Sequence, residues 1–417
     1  MIKKFIKNEY LFSLFTKFIS VGVGVIYSVL YSRYLGAELR GTASIITNYS
    51  EILSIILTFG AFNAYPYFKK RDDKDIYENF VNNVFGLFFL YCFLALFISV
   101  FFHQDLNIMI AILIAPFWMC SRQLNYVVLI ENPRLSNITN TSIDIFDLFF
   151  VFVLMLTTHS NLKWCISIVT VKHIVLFAIC VVNINRVKFK FKPTLKGIWP
   201  YIKYGIVPMI TMLLMEINYK MDVIMLEWFN ISTAEIGIYS LGVMLAQKVL
   251  LIPDALKDIL LSKLVSGKGA DEVAKICRIS FFVTFICVFF LLIFGKQLIT
   301  IMYGIEFLEA YSTTVIICAG VIGMVFYKMV YSYNVVNGYK NVNLMLLGMS
   351  ALLNIVANIF LIPLMNSTGA AIASLISYLF CGISFMIFFM RKTKINLNSL
   401  LFINNQDVQF VKEFFNK

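Results

Sequence analysis

Ionisable residues recur inside the long apolar stretches of this 417-residue chain. The cations that lie deepest come from six different stretches: Lys17, Arg122, Lys172, Lys220, Lys248 and Lys328. A charge in hydrocarbon is costly and normally faces a helix-bundle interior or a watery cavity. We therefore predict that these six residues bind an anionic substrate, such as a phosphate or pyrophosphate group. Any single lysine has the alternative of snorkelling to the lipid headgroups.

Three acids, Glu51, Glu216 and Asp222, lie deep enough to oppose these cations. Glu216 and Lys220 are four residues apart, so they can neutralise each other on one helical face. Without that pair, five cations face two acids, and this surplus favours an anionic substrate. The same three acids are candidates for coupling transport to Na⁺ or H⁺.

Three further acids have structural interpretations. We place Asp144 and Asp147 in the first turns of the fifth apolar stretch, where a carboxylate suits the positive end of a helix. Asp254 ends the eighth stretch, beside Pro253. Asn354 and Asn358, four residues apart, suit either hydrogen bonds to a sugar or contacts between helices.

Motifs for enzymatic chemistry are absent from the sequence. The segment "SGKGADE" lacks the first Gly and the final Ser or Thr of a phosphate-binding loop. The three His residues have no metal-ligand spacing, and the eight Cys residues form no C-x-x-C pair. We therefore predict a transporter with no cofactor and no metal site, apart from a coupling Na⁺ or H⁺.

The composition predicts an all-α polytopic membrane protein, because 60% of the residues are hydrophobic and only 14% are charged. Soluble domains have about 25% charged residues. Most of the apolar stretches exceed the roughly 20 residues that cross a bilayer as a helix. The twelve predicted spans are 9–32, 43–66, 80–102, 106–130, 143–158, 162–184, 200–226, 234–256, 279–302, 311–336, 342–363 and 368–391.

The distribution of Lys and Arg predicts the orientation. With a cytoplasmic N-terminus, the inside segments hold 24 of the 35 Lys and Arg residues and the outside loops hold four. Both termini are therefore predicted to be cytoplasmic. The net charge of +12 follows from this topology and does not indicate a nucleic-acid partner. The long first apolar stretch lacks a small-residue cleavage site, so we interpret it as a span and not as a cleaved signal peptide.

The chain divides near its middle at the basic stretch "NRVKFKFKPTLKGIWP". We predict an N-terminal six-helix lobe (1–184), a basic cytoplasmic linker (185–199), a C-terminal six-helix lobe (200–391) and an amphipathic cytoplasmic tail (392–417). "AELRGTASI" opens the second span and "AEIGIYSLG" opens the eighth. The two segments are similar and stand at matching positions in the two halves, which favours a parallel repeat of the halves.

Several stretches resemble the polysaccharide transport branch of the MOP flippase superfamily, the Wzx-type flippases of capsule and O-antigen synthesis. They are "SRYLGAELRGTASI", "YIKYGIVPMITMLLMEINYKMDVIMLEWFNISTAEIGIYSLGVMLAQ", "YGIEFLEAY", "NGYKN" and "LLNIVANIFLIPLMNSTGAAIASLISY". The resemblance implies two six-helix lobes around a central cavity that opens alternately to each side of the bacterial inner membrane. It also implies a polyprenyl-pyrophosphate-linked oligosaccharide as substrate, such as an undecaprenyl-linked one. A glycan polymerase and other polysaccharide assembly proteins are the implied partners.

Two alternatives stay open from the sequence. A drug or metabolite exporter of the related MATE type is expected to have a more acidic cavity than the predicted surplus of cations provides. A membrane polysaccharide polymerase normally carries a large outside loop with basic residues. The longest predicted outside connection here, 296–311, is short and holds one lysine.

Overall fold

The computed structural model describes residues 9–71, 76–184, 190–403 and 407. All regular secondary structure of these residues is helical and none of it is a strand, which confirms the predicted all-α class. It forms two compact units, Met1–Leu213 and Leu214–Lys417. The lobe and linker boundaries remain predictions, and residues 185–189 and most of the predicted tail lie outside the described ranges.

The described residues of the first unit include six complete helices and the beginning of a seventh. They are α1 (Glu9–Thr58), α2 (Ala61–Lys69), α3 (Ile76–Ser99), α4 (Leu106–Glu131), α5 (Pro133–Thr157), α6 (Leu162–Ile184) and α7 (Trp199–Trp228). Side-chain caps set two of the starts. Asp105 accepts a hydrogen bond from the Ile108 amide, and Asn132 accepts one from the Leu135 amide, which satisfies otherwise unpaired donors. The buried core includes Tyr65, Phe80 and Leu124.

In the described part of the second unit, the end of α7 is followed by six further α-helices. They are α8 (Thr233–Lys248), α9 (Leu251–Val265), α10 (Ala270–Met302), α11 (Ala310–Val336), α12 (Lys340–Thr393) and α13 (Asn398–Leu401). The axes of α8 and α9 differ by 42° across a short break. The predicted eighth span, 234–256, is therefore a bent pair of helices. Pro253 has no backbone N–H group. It therefore suits the first turn of α9, where a backbone N–H has no acceptor within the helix.

Two helices contain a kink where the sequence predicts an outside loop. Gly36 in α1 has φ 69°, and Asn366 in α12 has φ 49°, in the left-handed region. The hydroxyl of Ser350 donates to the Ser377 carbonyl at 3.0 Å. These residues would be about 40 Å apart along a straight helix, at a rise of about 1.5 Å per residue. Helix α12 therefore folds back on itself at Asn366.

Eight helices of the described ranges are long and apolar enough to cross a membrane, or nine if α8 and α9 are one bent span. The protein is therefore an integral membrane protein. Helix α7, the predicted seventh span, is not among the eight, because charged and amide side chains such as Glu216, Asn218 and Lys220 lower its hydropathy. The total of twelve spans remains a prediction.

Glycine allows a close approach between α11 and α12. A Cβ atom added at Gly382 would lie 2.1 Å from the carbonyl oxygen of Gly323, which is impossible without moving the backbone. A Cβ atom added at Gly348, also in α12, would be 3.7 Å from its nearest neighbour, Leu214. The contact between Gly382 and Gly323 fixes the spacing of α12 and α11, and both helices carry candidate site residues.

We expect Gly382→Ala to destabilise the protein by about 1–3 kcal/mol or more, because the methyl group overpacks this contact. The measurement is the melting temperature in detergent, by fluorescence-detected size exclusion. Gly348→Ala is the matched control, and we expect it to be neutral or stabilising because alanine is the better helix former. Equal melting temperatures for Gly382→Ala and the wild type would contradict the importance of this contact.

Candidate functional site

Arg122 and Glu51 form an ion pair between α4 and α1. The Arg122 Nη2 atom lies 3.3 Å from Glu51 Oε1, and the two side chains are 20% and 17% exposed. The guanidinium also lies 5.9 Å from the ring of Trp118, one turn earlier on α4. Arginine has five N–H donors, so one contact with Glu51 does not use its full donor capacity. Because both side chains are also partly exposed, an anion with several acceptor oxygens can reach the remaining donors of Arg122.

Lys172 of α6 pairs with Asp147 of α5. Their Nζ and Oδ2 atoms are 2.7 Å apart, and Asp147 is only 6% exposed. The first-turn interpretation of Asp144 and Asp147 is wrong, because α5 already begins at Pro133 and both acids lie in its middle. The Lys172 amine also lies 5.8 Å from the ring of Tyr27.

The ring of His173 stacks on Trp118 and is a neighbour that the sequence reasoning missed. The ring centroids are 4.1 Å apart, and His173 is buried. Because Trp118 also contacts Arg122, a continuous set of side chains connects α6 to the ion pair between α4 and α1. The position of His173 directly after Lys172 was the only sequence signal for it.

Arg40 is a further buried cation that the sequence reasoning placed in an outside loop. Its Nη1 atom donates to the Ser32 hydroxyl at 2.7 Å, and its guanidinium lies 5.8 Å from the ring of Tyr31. The two residues are eight apart, and the kink at Gly36 brings them together. Arg40 is therefore a buried cation of the first unit that the prediction did not include.

In the second unit, Lys220 and Lys328 each have a carboxylate nearby. Lys220 Nζ is 3.4 Å from Glu216 Oε2, as the spacing predicts. Lys328 Nζ is 2.6 Å from Asp254 Oδ1, and Lys257 approaches the same oxygen at 3.5 Å. Asp254 is thus a counterion of Lys328 as well as an acid near a helix end.

At least four of the six predicted substrate-binding cations have an acidic partner, so the surplus of cations over acids is smaller than predicted. Asp147 and Asp254, which the sequence reasoning set aside, supply the missing negative charges. Lys17 is exposed on α1, and Lys248 is half-buried in the last turn of α8. Three of the six cations lie in each unit. Their role in substrate binding remains a prediction.

Asp222 forms the centre of a fully buried polar network. Its carboxylate accepts hydrogen bonds from the Tyr239 hydroxyl at 2.7 Å, from Asn358 Nδ2 at 2.8 Å and from the Ser374 hydroxyl. Asn358 also donates to the Asn354 carbonyl at 3.0 Å. Three helices, α7, α8 and α12, contribute to this network. These partners are all neutral, in contrast to the ion pairs of Glu51, Asp147, Glu216 and Asp254.

The sequence indicated part of the Asp222 network. It singled out Asp222 and the two asparagines separately, but it did not place them together or include Tyr239 and Ser374. Tyr239 lies in the segment "AEIGIYSLG" that opens the eighth predicted span, and Ser374 directly follows the segment "GAAIA". Among the described residues, no three His, Cys, Asp or Glu side chains form a cluster that could hold a metal ion.

A comparison of the sequence with protein-family models identifies the family of this chain. The model of the polysaccharide biosynthesis protein family matches residues 7–252, more than half of the chain. The chain belongs to this family. The resemblance predicted from the sequence motifs is confirmed at this level, and the matched region of this family member includes Glu51, Arg122, Lys172 and Asp222.

Solved structures show the fold of this polysaccharide biosynthesis protein. The lipid II flippase MurJ in its inward closed conformation has a TM-score of 0.72 at 16% identity, covering 94% of this chain and 89% of MurJ. An inward-facing MATE-family multidrug resistance transporter of the MOP superfamily has a TM-score of 0.70 at 12% identity, covering 90% and 94%. The MATE transporter VcmN of Vibrio cholerae has a TM-score of 0.60 at 13% identity, covering 93% and 96%. No curated protein sequence matches the chain.

The fold is therefore that of MOP-superfamily transporters, as the sequence predicted. The matched structures are a flippase and exporters, and none of the three is an enzyme by its description. At these identities the likeness defines the fold alone.

We expect Lys172→Ala to lower the stability of the protein by about 1–3 kcal/mol, because it leaves the buried Asp147 carboxylate without its cation. The double variant Lys172→Ala/Asp147→Ala removes both charges and should recover most of the lost stability. Melting temperatures of Lys172→Ala, Asp147→Ala, the double variant and the wild type in detergent measure this. A double variant as unstable as the sum of the two single variants would contradict the pairing.

Proposed function

We propose that this protein is a flippase for polyprenyl-pyrophosphate-linked oligosaccharides, and that it moves repeat units for a capsule or O-antigen type polysaccharide. The units would pass from the inner to the outer leaflet of the bacterial cytoplasmic membrane. The observation that carries the proposal is the family match over residues 7–252. The excess of Lys and Arg in the predicted inside segments supports cytoplasmic termini.

The accessible ion pairs suggest how the substrate is held. A pyrophosphate carries more negative charge and more acceptor oxygens than one carboxylate, so it competes with Glu51 for Arg122. In our proposal the substrate replaces this internal partner and the pair reforms after release. The cation is thus never left without a counter-charge during a cycle of alternating access. Lys172, Lys220 and Lys328 have carboxylates that can exchange in the same way, and Lys17 and Lys248 remain candidates.

Asp222 is the acid best suited to coupling with Na⁺ or H⁺. Glu51 and Glu216, the other two candidates, each have a cationic partner. The Asp222 carboxylate is 1% exposed and its hydrogen-bond partners are neutral. A buried carboxylate is strongly stabilised by a proton or a bound cation. The oxygen atoms of Asn354, Asn358 and Ser374 suit Na⁺ beside this carboxylate.

A cation-coupled exporter is the second candidate function. The MATE-like fold and the buried Asp222 favour it, and the pairing of the cations removes part of the charge argument against it. The first experiment therefore deletes the gene and analyses lipid-linked and surface glycans. Loss of surface glycan with complete lipid-linked repeat units retained at the inner face is the outcome we expect. Loss of long polymer alone would indicate a polymerase, and an unchanged glycan profile would favour the exporter.

In the deletion strain, we expect Arg122→Ala and Lys248→Ala to restore much less surface glycan than the wild type at equal protein level. Each variant removes a positive charge that the pyrophosphate needs. Lys196→Ala is the matched control, because this lysine is exposed in a connection between helices. Wild-type surface glycan in both test variants would contradict the assignment of these cations.

We expect Asp222→Asn to remove the dependence of the melting temperature on the coupling cation, because an amide neither binds Na⁺ as a counter-charge nor takes up a proton. The measurement compares sodium chloride with choline chloride, and acidic with neutral pH, for purified protein. Glu306→Gln, an exposed acid of the same unit, is the control and should behave as the wild type. Unchanged sensitivity in Asp222→Asn, or a wild type that responds to neither ion, would reject this site.

A further inference from the structure

A second candidate binding site lies in the second unit, away from the intramembrane charges. A cavity of about 980 Å³ is formed by the connection from α7 to α8, the connection from α10 to α11 and the kink of α12. Its polar lining includes Glu235, Lys296, Glu309, Tyr311, Ser312 and Thr368. The volume is at the upper end of the range of small-molecule sites, about 300–1,000 Å³.

Tyr311 provides a fixed aromatic surface in this cavity. Its hydroxyl donates to the Leu292 carbonyl at 2.7 Å. A Cβ atom at Gly295 would lie 2.9 Å from the Tyr311 ring, so the ring rests against a part of α10 that has no side chain. The Lys296 amine lies 5.3 Å from the centre of the ring. The ring is thus held in place from α10 and has an amine beside it.

Glu235 provides a fixed carboxylate in the same cavity. Its Oε1 atom accepts hydrogen bonds from the backbone amide of Ser367 at 3.1 Å and from the Ser367 hydroxyl at 2.6 Å. Ser367 follows the kink at Asn366, so the fold of α12 positions this acceptor. The second oxygen of the Glu235 carboxylate is not used by these two bonds.

The charges of the lining indicate the class of ligand. Glu235 and Glu309 outnumber Lys296, so the lining has an excess of one negative charge and disfavours pyrophosphate or an acidic sugar. Sugar rings combine apolar C–H faces, which pack on aromatic rings, with hydroxyl groups that donate to carboxylates. One fixed aromatic ring, fixed acceptors and several Ser and Thr hydroxyls match this pattern. An amino group on the sugar would also be neutralised by the extra carboxylate.

We propose that this cavity binds a neutral or amino sugar of the transported glycan. The predicted orientation places its three connections on the outer side of the membrane, where the sugar chain arrives after transport. The site therefore receives the glycan while the charged head group is bound elsewhere. This inference rests on the proposed function and on the predicted orientation.

The test measures sugar binding by purified protein in lipid nanodiscs with saturation-transfer difference NMR. The probes are maltose, lactose, N,N′-diacetylchitobiose and chitobiose, with inorganic pyrophosphate as the anionic comparison. We expect at least one disaccharide to bind, and Tyr311→Ala to weaken this binding by about tenfold because it removes the aromatic surface. Tyr311→Phe keeps the ring and its position against Gly295 but loses the hydrogen bond to Leu292, so it should bind more tightly than Tyr311→Ala.

Lys163→Ala is the matched control, because Lys163 is an exposed lysine beside an aromatic ring, Trp164, in the other unit. It should bind the disaccharide unchanged. No binding of any of the four disaccharides, or equal binding by wild type and Tyr311→Ala, would overturn the proposal. Binding of pyrophosphate that is lost in Tyr311→Ala would overturn the ligand class. The two experiments can also disagree. If the purified protein binds a disaccharide but the deletion strain has unchanged surface glycan, the flippase function alone would be overturned.

Discussion

The pairing of buried charges is the constraint on which the rest of this structure depends. A charge in hydrocarbon is stable only beside an opposite charge, several hydrogen-bond donors or water. Arg122, Lys172, Lys220 and Lys328 each lie within 3.4 Å of a carboxylate oxygen. Three of these pairs join two different helices. The pairs therefore fix helix neighbours as well as neutralising charge, and a substrate that displaces a carboxylate also loosens a contact between helices.

Both units contain cations that are paired with carboxylates, but Asp222 has a different environment. In the first unit, Arg122 and Lys172 have acidic partners and nearby aromatic rings, a combination that suits exchange with an anionic group. In the second unit, Asp222 is enclosed by neutral donors, a combination that suits a proton or a monovalent cation. This difference in environment is why we propose separate residues for substrate binding and for ion coupling.

Backbone geometry decides where these side chains meet. The kink at Asn366 turns α12 back on itself and places Asn358 and Ser374, from its two arms, on the same carboxylate. The same kink presents Ser367 to Glu235 in the cavity of the second unit. The close approach at Gly382 sets the spacing between α12 and α11. One change of backbone direction thus supports both the Asp222 network, which we propose for ion coupling, and the proposed sugar site.

The sequence by itself determined the class of this protein. A composition with 60% hydrophobic residues can bury its backbone only as membrane helices, and the ordered motifs identified the family. It also found Asp222, because an acid in an apolar stretch is conspicuous, and it found the Glu216–Lys220 pair, because that pair lies on a single helix. Only the tertiary structure assigned Asp147 to Lys172 and Asp254 to Lys328. Those partners lie on different helices, and the contact depends on helix register and packing, which spacing along one chain does not encode.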